Sequence, residues 1–194
     1  MIVEPVVLEG KTVRLEPMAE SHVDALTAVG LEESLWRWIP TACSSHDDIE
    51  EYVRSALADQ ERGVALPLVT IECASGTVIG STRFGNIDAA NKRAEIGWTW
   101  INPKWQRTAV NTEAKFLMLR HAFETWKCIR VELKTDALNE RSRNAILRIG
   151  AKEEGIFRQH MITASGRYRD SVYFSIIDSE WPEIKERLLT MLKS

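Results

Sequence analysis

The chain has 194 residues, 44% of them hydrophobic and 27% charged, the balance of a globular protein long enough for one sizeable core. A formal net charge of -3 and a pI near 5.9 argue against a nucleic-acid partner, which leaves a strongly basic footprint. No run of about 18 apolar residues occurs, and Met1–Lys11 lacks the basic start and apolar stretch of a signal peptide. The expectation is one domain over 1–194, cytoplasmic, with no membrane partner.

The three cysteines and four histidines are scattered, with no Cys-x-x-Cys pair and no metal-ligand spacing, so no metal is expected. Cys73 and Cys128 lie in or beside apolar runs and read as small buried hydrophobes.

Val6–Leu8 and Val13–Leu15 flank Glu9-Gly10-Lys11 as an opening hairpin. Val23, Leu26 and Val29 recur at steps of three, predicting a helix over 20–30 that Gly30 ends. An aromatic segment, Leu35 to Ile39, stops at Pro40. Ser45 is placed to cap a helix carrying Ile49, Tyr52, Val53 and Leu57. Strands are expected at 66–72, 77–84 and 94–101, with a turn at 74–76 and a polar loop over 86–92. Phe116, Leu119, Phe123 and Trp126 give 112–126 a helical period. A strand follows at 129–135. Asn139 is set to cap a helix that ends at Gly150. A hairpin over 156–162 and 168–176 and a closing helix over 181–192 complete the chain. This order predicts an α/β layered fold, a mixed central sheet of about seven strands flanked by helices.

The stretch Ile101-Asn102-Pro103-Lys104-Trp105-Gln106-Arg107-Thr108-Ala109-Val110-Asn111-Thr112 joins a strand to a long helix. A loop wrapping into a helix N-terminus offers converging N–H groups and a positive field, which suit a pyrophosphate. Ala109 is small enough for close approach, Arg107 could add a charge-assisted bond, and Thr108 and Thr112 offer hydroxyls. An ordinary strand-to-helix turn with an exposed arginine would read the same way.

Gln106-Arg107-Thr108-Ala109-Val110-Asn111 resembles the pyrophosphate loop of the GNAT acetyltransferase superfamily, Gln/Arg-x-x-Gly-x-Gly/Ala. Leu8–Pro17, Trp98–Ile101, Ile129–Leu133, Asn139–Ser142, Arg148–Gly155 and Gly166–Asp170 are similar, in order, to segments of its ribosomal-protein-alanine acetyltransferase branch (RimJ/RimL-like). Ala109 and Asn111 replace the usual glycines. Alanine is tolerated if its φ is negative, and Asn111 tolerates left-handed geometry and could cap the helix. The tyrosine that many members carry as a general acid corresponds to Ile146 here, so that role is vacant.

The resemblance implies direct transfer from acetyl-CoA to a primary amine, a protein N-terminus or a small molecule. The strand Glu95–Ile101 would splay from its neighbour near its end and lend Trp100 and Ile101 to the cofactor. Gln106 to Thr112, Asn139, Arg141, Ser142 and Arg148 are the remaining cofactor candidates. Glu95 is the candidate base, against a reading as an exposed carboxylate or an ion-pair partner of Arg93 or Lys92. Ser142 is the candidate donor to the departing sulfur, against a first-turn hydroxyl bonding the backbone. Asn139 could bond pantetheine and cap its helix at once. Trp36, Trp38 and Trp98 could line an acceptor pocket or simply pack the core, and His160 and Tyr168 lie on the last hairpin. A non-catalytic acyl-CoA sensor is the alternative. A dinucleotide fold is disfavoured because no Gly-x-Gly-x-x-Gly follows an early strand, and a P-loop is absent. Exposed sheet edges offer a route to a homodimer.

Overall fold

The computed structural model describes residues 1–193. Eight strands form one sheet: β1 (Leu8–Glu9), β2 (Val13–Pro17), β3 (Leu66–Glu72), β4 (Val78–Asp88), β5 (Arg93–Ile101), β6 (Arg130–Asp136), β7 (Lys152–Ile162) and β8 (Tyr168–Ile177). Their order is β1-β2-β3-β4-β5-β6-β8-β7. All neighbours are antiparallel except β5 and β6, which are parallel. The count exceeds the expected seven because the two-residue β1 joins the edge through Leu8↔Leu15 and Glu9↔Arg14. β4 runs to Asp88 and absorbs half of the predicted 86–92 loop.

Six helices cover the sheet: α1 (Val23–Gly30), α2 (Glu33–Trp36), α3 (His46–Glu61), α4 (Val110–Arg120), α5 (Glu140–Arg148) and α6 (Trp181–Met191). Their ends follow local chemistry. Ser45 Oγ accepts from Asp48 N at 3.2 Å while the Asp48 carboxylate accepts from Ser45 N at 3.0 Å, a reciprocal cap on α3. Asn139 Oδ1 accepts from Ser142 N at 3.1 Å and caps α5. Gly150 leaves α5 with φ +102°, a conformation that L side chains rarely adopt.

α4 departs from the amphipathic helix its period suggested. It starts at Val110, and Thr112 through Leu119 are all buried, charged residues included. Glu113 explains one of them. Its carboxylate accepts from the amides of Lys11, Thr12 and Val13 at 2.9, 2.6 and 2.8 Å, tying the first hairpin to the central helix. Past Arg120 the helix widens into a π-turn, His121–Thr125, so the predicted helical stretch reaches Trp126 with a changed pitch.

The sheet separates two apolar layers. Leu15, Leu68, Ile79, Phe84 and Ile96 pack with Leu117 and Leu119 of α4 and with Ile184 and Leu188 of α6. On the other face Val69, Ile71 and Trp100 pack with Leu26 of α1 and Ile49 and Val53 of α3. Cys128 is buried as expected, but Cys73 is exposed, a correction, because β3 has ended and the chain turns outward there. Burial raises the thiols of Cys43 and Cys128 to about 12 and about 11, which leaves both protonated and inert. Among the described residues no helix is long and apolar enough to cross a membrane.

Candidate active site

The site begins where the one parallel pair among the described residues, β5 and β6, comes apart. β5 and β6 are in register at Arg93↔Arg130, Ala94↔Val131 and Glu95↔Glu132, and no pairing follows. β5 nevertheless runs on to Ile101 and β6 to Asp136, so the strands splay as the resemblance implied, but directly after Glu95 and not near the strand's end. On its other side β5 stays paired with β4 but is bulged. Gly97 faces Arg83 and Trp100 faces Ser81, which leaves Trp98 and Thr99 opposite Thr82 alone. Trp98 takes φ +49°, costly for a bulky residue. Its ring lies against Gly85, where an added Cβ would sit 2.3 Å from the indole, so glycine is required for the bulge to pack.

Glu95 is the last paired residue. It is 2% exposed, not the surface carboxylate that one sequence reading allowed. Its Oε2 accepts from Asn86 Nδ2 at 2.8 Å and from Lys134 Nζ at 2.9 Å. Neither Arg93 nor Lys92 is its partner. Arg93 instead bridges Asp88 and Glu132, and Arg130 links Glu132 to Glu154. The bond to Arg130 holds Glu154 down at about 2. A cleft of about 840 Å³ opens beside Glu95, walled by Asn86, Asp88, Glu132, Glu154, Phe157 and Tyr173 among others. Tyr173 Oη lies 3.5 Å from His160 Nε2, and His160 Nδ1 lies 3.1 Å from Ser171 Oγ. Burial raises the phenol, and burial together with the charges of Lys134 and Arg169 lowers the imidazole, so both are neutral near pH 7.

Loop 106–112 lies at the far end of β5. Gln106 Nε2 donates to the carbonyl of Ile101 at 2.6 Å and pins the strand end. Arg107 carries φ +62° and an exposed side chain. Ala109 has φ -66°, the negative value that alanine needs. Thr108 Oγ1 donates to Trp105 O at 2.7 Å and accepts from Val110 N at 3.3 Å. It takes the capping job expected of Asn111, which is instead helical, with its Oδ1 buried and unpartnered. The correction is steric: Ala109 already has helical angles, so α4 begins before Asn111. The first bond into α4 runs from Glu113 N to Ala109 O, leaving the earlier amides at the helix mouth.

Other candidates divide. Arg148 Nη2 donates to Thr112 Oγ1 at 2.9 Å, which joins α5 to the mouth of α4. Asn139 uses its side-chain oxygen on Ser142 N, Ser142 is half-buried, and Arg141 is exposed. Trp36 is corrected to core: its ring packs 5.4 Å from Trp100 and its N–H donates to Gly30 O at 2.7 Å. Trp100 and Ile101 are buried too, so only their backbone can meet a ligand. Trp38, held through its carbonyl by Arg169, and Trp98 lie outside the cleft walls.

Two functional candidates and one buried cation escaped the sequence reading. Asn86 sat in a predicted loop. Lys134 looked like one more outward charge on an alternating strand, although its spacing of two from Glu132 puts both on one face. Lys115 hides in an apolar helix. It is 7% exposed, donates to Thr99 Oγ1 at 2.7 Å, and burial lowers it to about 7.

With this geometry in place, the relatives carry weight. The model of the Acetyltransferase (GNAT) domain matches residues 12–152. YdaF of Bacillus subtilis (strain 168), whose name assigns it provisionally as a ribosomal N-acetyltransferase, is 29% identical over 88% of this chain and 92% of its own. A GCN5-related N-acetyltransferase from Brucella melitensis superposes with TM-score 0.90 at 35% identity, covering 98% of this chain and 86% of its own. RimJ of Mycobacterium smegmatis, solved in complex with a CoA disulfide, shares the fold with TM-score 0.81 at 24% identity, over 95% of this chain and 91% of its own. The chain belongs to the GNAT acetyltransferase family, and it is an acyltransferase.

Proposed function

We propose that this enzyme, acting as a single domain in the cytoplasm, moves an acetyl group from acetyl-CoA to a primary amine on a protein N-terminus or a small molecule. The observation that carries the reading is the opening of β5 from β6 directly after Glu95, with the mouth of α4 at the other end of the same strand. The residues fit the donor. Helix-mouth amides, the small Ala109 and the cation of Arg107 suit a pyrophosphate. The unpaired edge of β5 beyond Glu95 presents backbone groups to an amide-bearing arm such as pantetheine. The buried, unpartnered Asn111 Oδ1 marks an acceptor with capacity to spare beside that mouth. Acetyl-CoA, when bound, supplies the acetyl group as a thioester. That RimJ shares the fold and binds a CoA disulfide supports the choice, and the name of YdaF supports an acceptor of the protein N-terminal kind.

Each side chain has a task in this reading. Glu95, facing the cleft, takes a proton from the incoming ammonium. Asn86 fixes the carboxylate. Gln106 holds the end of β5, and Arg148 with Thr112 braces the helix mouth. β7, the open sheet edge with Ile156 and Phe157 exposed, is where a homodimer would pair.

Titration calorimetry with acetyl-CoA, followed by free-thiol release across a panel of N-terminal peptides and small amines, tests the proposal. The expected result is binding, with thiol release confined to one amine class. Binding without release would favour the sensor, and absence of binding would end the acetyl-CoA reading.

A further inference from the structure

The acetyl-transfer reading leaves one task open, for which the sequence offered only the half-buried hydroxyl of Ser142. The sulfur that departs from the acetyl group needs a proton. The family's tyrosine position on α5 is held by Ile146, which is 7% exposed and has none to give. Lys134 is placed to supply it. It sits on β6 two residues beyond the last pairing with β5, and its ammonium reaches back 2.9 Å to Glu95 across the point where the strands part. Its Nζ lies 5.6 Å from the Trp98 ring and 5.7 Å from the Tyr173 ring, one on the bulge and one on the cleft wall. The side chain is 15% exposed and Glu95 is its sole ion-pair partner among the described residues. The groups facing this position are Glu95 from β5, Glu132 from β6 itself, Tyr173 and Arg169 from β8, and His160 from β7.

We propose that Glu95 and Lys134 form a proton-transfer couple in which Glu95 is the base for the acceptor and Lys134 the acid for the departing sulfur; the assignment rests on the acetyl-transfer reading. The ledger of atoms closes. Glu95 takes one proton from the acceptor ammonium, which frees Lys134 from its carboxylate partner. The amine nitrogen bonds to the acetyl carbon, a second proton passes from nitrogen to solvent, and the carbon–sulfur bond breaks with its electron pair on sulfur. Lys134 gives that sulfur a proton and recovers one from the protonated Glu95 along their shared 2.9 Å contact. Ammonium plus thioester become amide, free thiol and one released proton, and both side chains return to their starting charges.

Two variants, compared with Glu95→Gln alone, test this without relying on turnover alone. Lys134→Arg keeps the positive partner of Glu95 but holds its proton too tightly to donate. Lys134→Met with Glu95→Gln removes both charges together and so avoids an uncompensated buried carboxylate. The first readout is the thiol of bound CoA, followed by ultraviolet thiolate absorbance as pH is raised. An ammonium beside the sulfur with no opposing carboxylate lowers its midpoint by about one unit or more in Glu95→Gln relative to the double variant. The second is the split between maximal rate and calorimetric affinity. Lys134→Arg should lose about 10²-fold in maximal rate with little change in acetyl-CoA affinity. A wild-type maximal rate in Lys134→Arg, or an equal thiol midpoint in Glu95→Gln and the double variant, overturns the role of Lys134 and leaves acetyl transfer standing. A wild-type enzyme that binds CoA but releases thiol with no amine overturns the transferase reading and this assignment with it.

Discussion

Lys134 and Lys115 approach β5 from opposite faces. Both are largely buried and neither was singled out by its sequence neighbourhood. Lys134 finds a carboxylate at 2.9 Å, whereas Lys115 finds the hydroxyl of Thr99 at 2.7 Å and no counter-charge. Burial alone pushes Lys115 down to about 7. Thr99 in turn lies 2.8 Å from Thr82, so the second lysine ends in a chain of hydroxyls inside the α4 layer. The first stands at the parting of two strands, between aromatic rings and beside a cleft. Depth is therefore a poor guide to function here. A buried cation with a carboxylate at a strand opening can exchange protons, while one with a hydroxyl in a closed layer chiefly costs stability.

The largest way to break the contrast is Glu95→Gln, which leaves Lys134 beside a neutral amide, the condition of Lys115. The maximal rate of acetyl transfer should fall by about 10²–10⁴, while calorimetric affinity for acetyl-CoA stays nearly intact because the loop end of β5 is untouched. An unaltered rate at every pH would remove Glu95 from the chemistry.

Lys115→Met sharpens the other side. In the folded protein this lysine loses its proton near pH 7, and in the unfolded chain near 10.5. Below pH 7 it is charged in both states and the full desolvation penalty applies. From 7 to 10.5 the unfolded chain holds more protons, so wild-type stability rises with pH as the penalty fades. Methionine, apolar and of similar length, should stabilise the protein at pH 7 by about 2–4 kcal/mol, after allowing for the lost bond to Thr99. That gain should shrink toward zero by about pH 10.5 in urea denaturation. Equal stability of both proteins at pH 7 would mean that Lys115 has a hidden counter-charge.

The two lysines also mark how far the sequence could be read. Elements governed by local chemistry were legible: Ser45 and Asn139 cap where their side-chain oxygens suggested, and β3 occupies the predicted 66–72. That β5 splays was legible through family resemblance, but not that it opens as early as Glu95. What was not legible depends on partners distant in the chain. Glu113 gave no sequence signal of its role, yet it satisfies three amides a hundred residues away. Glu95 looked for a neighbour at 92 or 93 and found Lys134, because the parallel crossover carries β6 to its side. Trp36 carried the chemistry of a pocket wall but sits among Trp100 and Tyr52, since α2 tucks its ring under the second layer.

Arg107 extends the comparison to a cation that is neither buried nor paired by a carboxylate. Its cost is in the backbone, since φ +62° is disfavoured for any residue with a Cβ. Such strain at an exposed loop tip suggests that the residue is kept for its charge at the helix mouth. Arg107→Ala retains the strain and removes the charge, so acetyl-CoA binding should weaken by about 1.5–3 kcal/mol. Arg107→Gly removes both. It should bind as weakly as the alanine variant while folding more stably, by about 1 kcal/mol. If both variants hold acetyl-CoA as tightly as the wild type in calorimetry, the helix mouth binds phosphate through its amides alone. If only the glycine variant recovers affinity, the left-handed turn and not the guanidinium is what the site requires.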